Sequence, residues 1–207
     1  MPRAAQEYLD KNGSKQVTSI TVCRSPIEQY INTVLNWIST GEFEKKKKEL
    51  NIERMFHLYM VVTLDGKTGS TIVEKNENIE IYDNTSTNKV AESSISVNLW
   101  GSTITLDQLI FGGLKKLEDL GLNPYNYDGI NNNCQKFLKA ILDYFNLSTK
   151  ESNDFIVQNT EKIIGELPYY AQNISQGAIN LKQAINILLK GGKMHNTKLD
   201  KLKTKKK

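Results

Sequence analysis

Asn133-Cys134-Gln135-Lys136-Phe137 is the segment of this chain best suited to chemistry. It follows a run of turn formers from Asn123 to Asn133, and it opens a stretch in which Phe137, Leu138, Ile141, Leu142 and Phe145 share one helical face. The spacing predicts a helix that starts at Cys134. A thiol in the first turn of a helix meets unpaired backbone N–H groups and the positive end of the helix dipole, and both favour the nucleophilic thiolate. The backbone N–H of Gln135 could also donate to an oxyanion formed on a carbonyl under attack. A free cysteine on a helix also serves as a small buried hydrophobe, so the surrounding residues must decide between the two roles.

A catalytic thiolate needs a base, and the chain has two histidines. His195 sits among lysines beside Gly191-Gly192, where nothing nearby would hold its geometry. His57 lies in the apolar run Met55–Val62, and strand alternation places it on one face with Tyr59 and Val61. A polar group on a mostly buried strand needs a partner, and a thiolate at a helix start is a suitable one. The third group, which would orient the imidazole, is expected from the return strand. Glu74 and Asn76 share a face there, and the register between the strands decides which of them reaches. Glu74 is the preferred choice; its alternative role is that of a surface carboxylate.

The elements that would carry these residues are partly legible. Residues 1–20 read as a polar arm, with an edge strand at Gln16–Cys23. Ser25-Pro26-Ile27-Glu28 has the form of a helix start, followed by Ile27, Tyr30, Ile31, Val34, Leu35 and Ile38 at helical spacing and Gly41 as the stop. Residues 42–54, with the run Lys45–Lys48, read as a solvated helix or loop. Leu64-Asp65-Gly66 marks a hairpin turn between the His57 strand and a return strand over Ser70–Glu74. Further strands are expected at Asn78–Tyr82 and Ser94–Leu99, with a loop at Asp83–Ser93. A helix is expected over Leu106–Leu120, with Thr105 as its cap and Gly112-Gly113 marking a kink or a close approach. Helical stretches follow around Glu151–Gly165 and Asn173–Lys190. The resulting division is an arm (1–20), an α+β domain (21–165), a helical extension (166–190) and a lysine-rich tail (191–207).

Charge separates the tail from the body. The formal net charge is +4, but residues 190–207 hold eight lysines and one aspartate, so the rest of the chain carries −3. The body therefore has no basic nucleic-acid footprint. The tail could meet nucleic acid, an anionic membrane or an acidic protein surface through charge alone, or act only as a solubilising end. Two cysteines exclude a disulfide scaffold, and no apolar run approaches the ~20 residues that span a bilayer. No apolar leader opens the chain, which leads us to expect a protein of the reducing cytoplasm rather than a secreted one. There is no Walker A loop, dinucleotide fingerprint, His-Glu-x-x-His or Cys-x-x-Cys, so neither a cofactor nor a metal is expected.

The order His57, then a polar residue on the return strand, then Cys134 opening a helix resembles the circularly permuted papain-like fold, including the lecithin:retinol acyltransferase-like group. Val73-Glu74-Lys75-Asn76 after the histidine strand is most similar to members found in large DNA viruses and phages. The resemblance covers about residues 20–160. It implies an α+β fold, with a small antiparallel sheet packed on the nucleophile helix and flanking helices. It further implies Cys134 as nucleophile, His57 as base, and Glu74 or Asn76 as the orienting group. The expected activity is a thiol-dependent hydrolase or acyltransferase acting on peptide, amide or acyl-lipid substrates, possible also inside a virion. The group often uses a second histidine as its third residue, and here that position falls to an acid or amide. The alternative is a non-catalytic minor capsid component that contacts other assembly proteins and keeps only the fold.

Overall fold

The computed structural model describes residues 1–26, 56–76, 78–86, 91–127 and 132–157. Among these, five strands form one antiparallel sheet: β1 (Val17–Pro26), β2 (Phe56–Leu64), β3 (Ser70–Lys75), β4 (Ile79–Asp83) and β5 (Ser93–Val97), in the order β4-β3-β2-β1-β5. Four helices accompany it: α1 (Arg3–Asn12), α2 (Leu106–Asp119), α3 (Cys134–Tyr144) and α4 (Lys150–Ile156). The chain is an α+β protein. No helix among the described residues is long and apolar enough to cross a membrane.

Alternation along the strands divides the sheet's side chains between two clusters. Ile20 and Val22 of β1, Leu58, Met60 and Val62 of β2, Val73 of β3 and Ile79 and Ile81 of β4 join the apolar sides of the helices in the main core. Cys23, Tyr59 and Ile72 bury themselves in a second cluster, with Val61 and Tyr82 packed against it. The Asp65-Gly66 turn closes the β2–β3 hairpin, and Gly66 and Gly69 take the positive φ values (63° and 78°) that the tight connection requires. Thr105 caps α2 through a reciprocal pair with Gln108, the side chain of each accepting from the other's backbone N–H.

Three sequence expectations change here. Residues 1–20 are not a free arm: Ala5 and Leu9, one turn apart, are buried, and the Tyr8 hydroxyl bonds Thr71 (2.8 Å) and Asp83 (3.0 Å). Two apolar positions in a single helical turn are too few to register as periodicity in sequence. The first strand is interior, held between β2 and β5, rather than an edge. Ser25 and Pro26 continue that strand opposite His57 and Phe56 instead of starting a helix; Pro26 is tolerated because it is the last strand residue. The helix expected from Ile27, the lysine-rich 42–54 segment, the second half of the 151–165 helix, the 166–190 extension and the 191–207 tail lie outside the described residues.

Gly112 and Gly113 mark a close approach of α2 to α3. A Cβ on Gly113 would fall 2.3 Å from Ile141 Cγ1, and one on Gly112 would fall 2.5 Å from the Tyr144 ring. Glycine's cost in helix propensity is thus offset by the packing it permits. Gly113→Val should lower stability by roughly 3 kcal/mol through overpacking. Urea denaturation should show a lower midpoint at unchanged slope.

Candidate active site

The end of β2 positions the site. The β2–β3 ladder begins at Tyr59↔Glu74, so Phe56, His57 and Leu58 pair with β1 but run past the last β3 rung. This leaves backbone donors open on that side of β2, and the start of α3 meets them there. Asn133 caps α3 by accepting the Lys136 N–H at 3.1 Å, which fixes Cys134 as the first helical residue. The Cys134 sulfur accepts from the backbone N–H groups of Gln135 and Leu58 and is hydrogen-bonded to the His57 side chain. Only 6% of Cys134 is exposed, so little water competes with these donors.

His57 Nε2 lies 2.6 Å from Glu74 Oε2, which leaves Nδ1 as the ring nitrogen free to serve the thiol. Glu74, 1% exposed, accepts a second hydrogen bond on Oε1 from the Tyr82 hydroxyl at 2.5 Å. Both carboxylate oxygens are acceptors, as suits the ionised form. The chain of contacts therefore runs Cys134–His57–Glu74–Tyr82 across α3, β2, β3 and β4.

The charges follow from this geometry. Burial disfavours an imidazolium, but hydrogen bonds and attraction to the Cys134 thiolate and the Glu74 carboxylate outweigh it and raise His57 from 6.5 to about 9. Burial likewise works against the Cys134 thiolate. His57, and then the N–H groups of Leu58 and Gln135, reverse this and bring the thiol below its ordinary value. Both shifts act in favour of a thiolate–imidazolium pair. Burial and the Glu74 carboxylate push the Tyr82 phenol up, so it stays a proton donor. The other cysteine behaves oppositely: burial pushes the Cys23 thiol up, with only Tyr59 as a side-chain partner acting against it.

The structure thus brings Cys134, His57, Glu74 and the Gln135 N–H together. Asn76 is not among them; its side chain donates to Glu80 at 3.2 Å, and its backbone N–H turns to Asn78. His195 lies outside the described residues. Two participants were not expected from sequence. Tyr82 stands on β4, where only the register reveals that it lies diagonally across from Glu74. The Leu58 N–H is a backbone group, with no residue type to announce it.

Two contacts hold the described residues before Asn133. Lys75 is fully buried and donates to the Pro124 carbonyl at 2.5 Å; burial lowers its amine from 10.5 to about 8. Asn132 donates to the neighbouring Asn123 carbonyl at 2.6 Å. Among the described residues no cluster of three His, Cys, Asp or Glu side chains could hold a metal ion. Comparison with protein-family models, with curated proteins and with solved structures finds no match for this chain.

Proposed function

We propose that this chain is a thiol-dependent hydrolase or acyltransferase on a permuted papain-like fold, with Cys134 as nucleophile, His57 as acid–base and Glu74 as the orienting carboxylate. The observation that carries the reading is the continuous hydrogen-bonded path from a helix-start thiolate through His57 to a buried, doubly engaged Glu74. A surface carboxylate beside a structural histidine would not need such burial. The order of the three along the chain, histidine, acid, cysteine, is that of the permuted group.

In this reading the thiolate attacks an acyl carbonyl, forming a C–S bond and a tetrahedral oxyanion. The Gln135 and Leu58 N–H groups, which face the sulfur at rest, lie within reach of that oxyanion. Imidazolium His57 gives its proton to the departing amine or alcohol as the C–N or C–O bond breaks, leaving a thioester. Neutral His57 then takes a proton from water or another acceptor, which attacks the thioester and releases the acyl product and the thiol. Peptide, amide and acyl-lipid donors all fit this chemistry.

Trapping the thioester tests the reading. With p-nitrophenyl acetate as the acyl donor, the full chain should release p-nitrophenolate in a burst equal to the enzyme concentration and carry one acetyl group on the Cys134 peptide. Cys134→Ala should show neither. Wild-type protein that acquires no acetyl group at Cys134 would sink the proposal and favour the capsid-component alternative.

A further inference from the structure

β3 ends on two adjacent buried charges, Glu74 (1% exposed) and Lys75 (0%). Strand alternation sends them to opposite faces of the sheet. Glu74 turns to His57, while Lys75 shares with Val73 the face that carries the main core. Lysine is almost never fully buried without a partner, and burial here lowers its amine from 10.5 to about 8. A position that only had to fill that face would suit an apolar side chain, as Val73 does two residues earlier. What the ammonium reaches is the Pro124 carbonyl, at 2.5 Å.

That carbonyl belongs to the segment that delivers the nucleophile. The carbonyl before it, on Asn123, accepts from Asn132 Nδ2 at 2.6 Å, and Asn132 is followed by Asn133, the cap of α3, and then by Cys134. Adjacent carbonyls of one dipeptide therefore tie Lys75 on one side to the helix start on the other. The register agrees. The β2–β3 ladder stops at Tyr59↔Glu74, and one step further would set Lys75 across from Leu58, the residue whose N–H reaches the Cys134 sulfur. α3 touches both of these strands. Lys75 is not among the groups that shift Cys134 or His57, so its influence runs through the chain and not through its charge.

We propose that Lys75 is a positioning residue: by holding Asn123-Pro124, and through it Asn132, it sets the start of α3 where the Cys134 sulfur meets His57. β3 then supplies both halves of the frame, Glu74 for the imidazole and Lys75 for the thiol. This rests on the thiolate reading above and adds what keeps its two members within reach of each other.

Iodoacetamide labelling of Cys134 in the full chain, followed against pH by peptide mass spectrometry, tests the role. Lys75→Met keeps an unbranched side chain but removes the donor. It should label about tenfold more slowly than wild type at pH 6 and equally at pH 9.5, the pattern of a thiol raised by about one unit. Asn132→Ala, which frees the same segment at its other end, should behave alike, and it carries the test if Lys75→Met does not fold. Lys75→Arg, which keeps a donor of similar reach, should recover part of the rate at pH 6. The His57→Ala background separates positioning from general support. With no imidazole to meet, adding Lys75→Met there should change the pH 6 rate by less than about threefold. A further tenfold loss in that background would make Lys75 a support of the fold as a whole and overturn the proposal. Profiles of Lys75→Met and Asn132→Ala that overlay wild type also overturn it and leave the thiolate standing. Wild type that itself labels as an ordinary thiol near about 8.5 overturns the thiolate reading and this inference together.

Discussion

His57→Ala should slow iodoacetamide labelling of Cys134 at pH 6 by at least ~30-fold, while leaving labelling at pH 9.5 within about threefold of wild type. Four influences bring the wild-type thiol down against burial: the His57 hydrogen bond and charge, then the Leu58 and Gln135 N–H groups. Removing the imidazole deletes the larger ones and leaves burial in force. An ordinary thiol near 8.5 is only about 0.3% thiolate at pH 6, whereas the paired thiol lies below its ordinary value. At pH 9.5 both proteins hold thiolate, so equal rates there show that access and folding survive. A thiol of higher pKa is also the better intrinsic nucleophile, which narrows the expected ratio without reversing it. Labelling at pH 6 that ignores His57 would mean that the helix start alone activates the sulfur, and the dyad reading would fail.

The same pair fixes the pH profile of acyl transfer. The acid limb belongs to the Cys134 thiol, and the alkaline limb should fall near pH 9, where His57 loses the proton it must give to the leaving group. Alkylation needs only the thiolate and should show no alkaline limb. Divergence of the two profiles above pH 9 therefore reports the imidazolium rather than the sulfur.

Cys134 and His57 were legible because each announces itself locally. The thiol follows a dense run of turn formers and precedes a clean apolar stripe, and the histidine interrupts an apolar strand. Glu74 could be narrowed only to a choice with Asn76, since alternation puts both on one face of the expected return strand, although β3 ends at Lys75. The choice turns on where the β2–β3 ladder ends and on Asn76 turning away to Glu80. Tyr82 and the Leu58 N–H depend wholly on pairing: a strand's sequence states which residues share a face, not which residue of the next strand lies opposite. The same limit hid the interior position of β1. Ser25-Pro26 misled for a different reason. Its helix-start chemistry is local, while the strand that overrides it is held by pairing to Phe56 and His57 some thirty residues later.

Replacing Glu74 should have the largest effect on stability, and the nature of the replacement should decide how large. Glu74→Leu leaves the Tyr82 hydroxyl and His57 Nε2 facing an apolar side chain, so two hydrogen-bonded groups lose their acceptor at once. Breaking a buried pair from one side typically costs about 3–5 kcal/mol. His57 remains about 22% exposed, which places the expected loss toward the lower end of that range. Glu74→Gln can still accept from His57 through its amide oxygen and donate to Tyr82 through its nitrogen, so it should retain much of the stability but lose the negative charge. The pH dependence distinguishes charge from shape. A folded-state value of about 9 against 6.5 means that His57 contributes stability fully present below pH 6.5 and lost as pH rises through 9. The share owed to Glu74 follows the same course. The gap between wild type and Glu74→Gln should therefore be widest at pH 6.5 and below and close toward pH 9, when read by urea denaturation at each pH. NMR titration of the His57 ring in Glu74→Gln should give a value clearly below that of wild type. A gap that stays constant with pH would reduce Glu74 to a space-filling acceptor. His57 would then owe its charge to the thiolate alone.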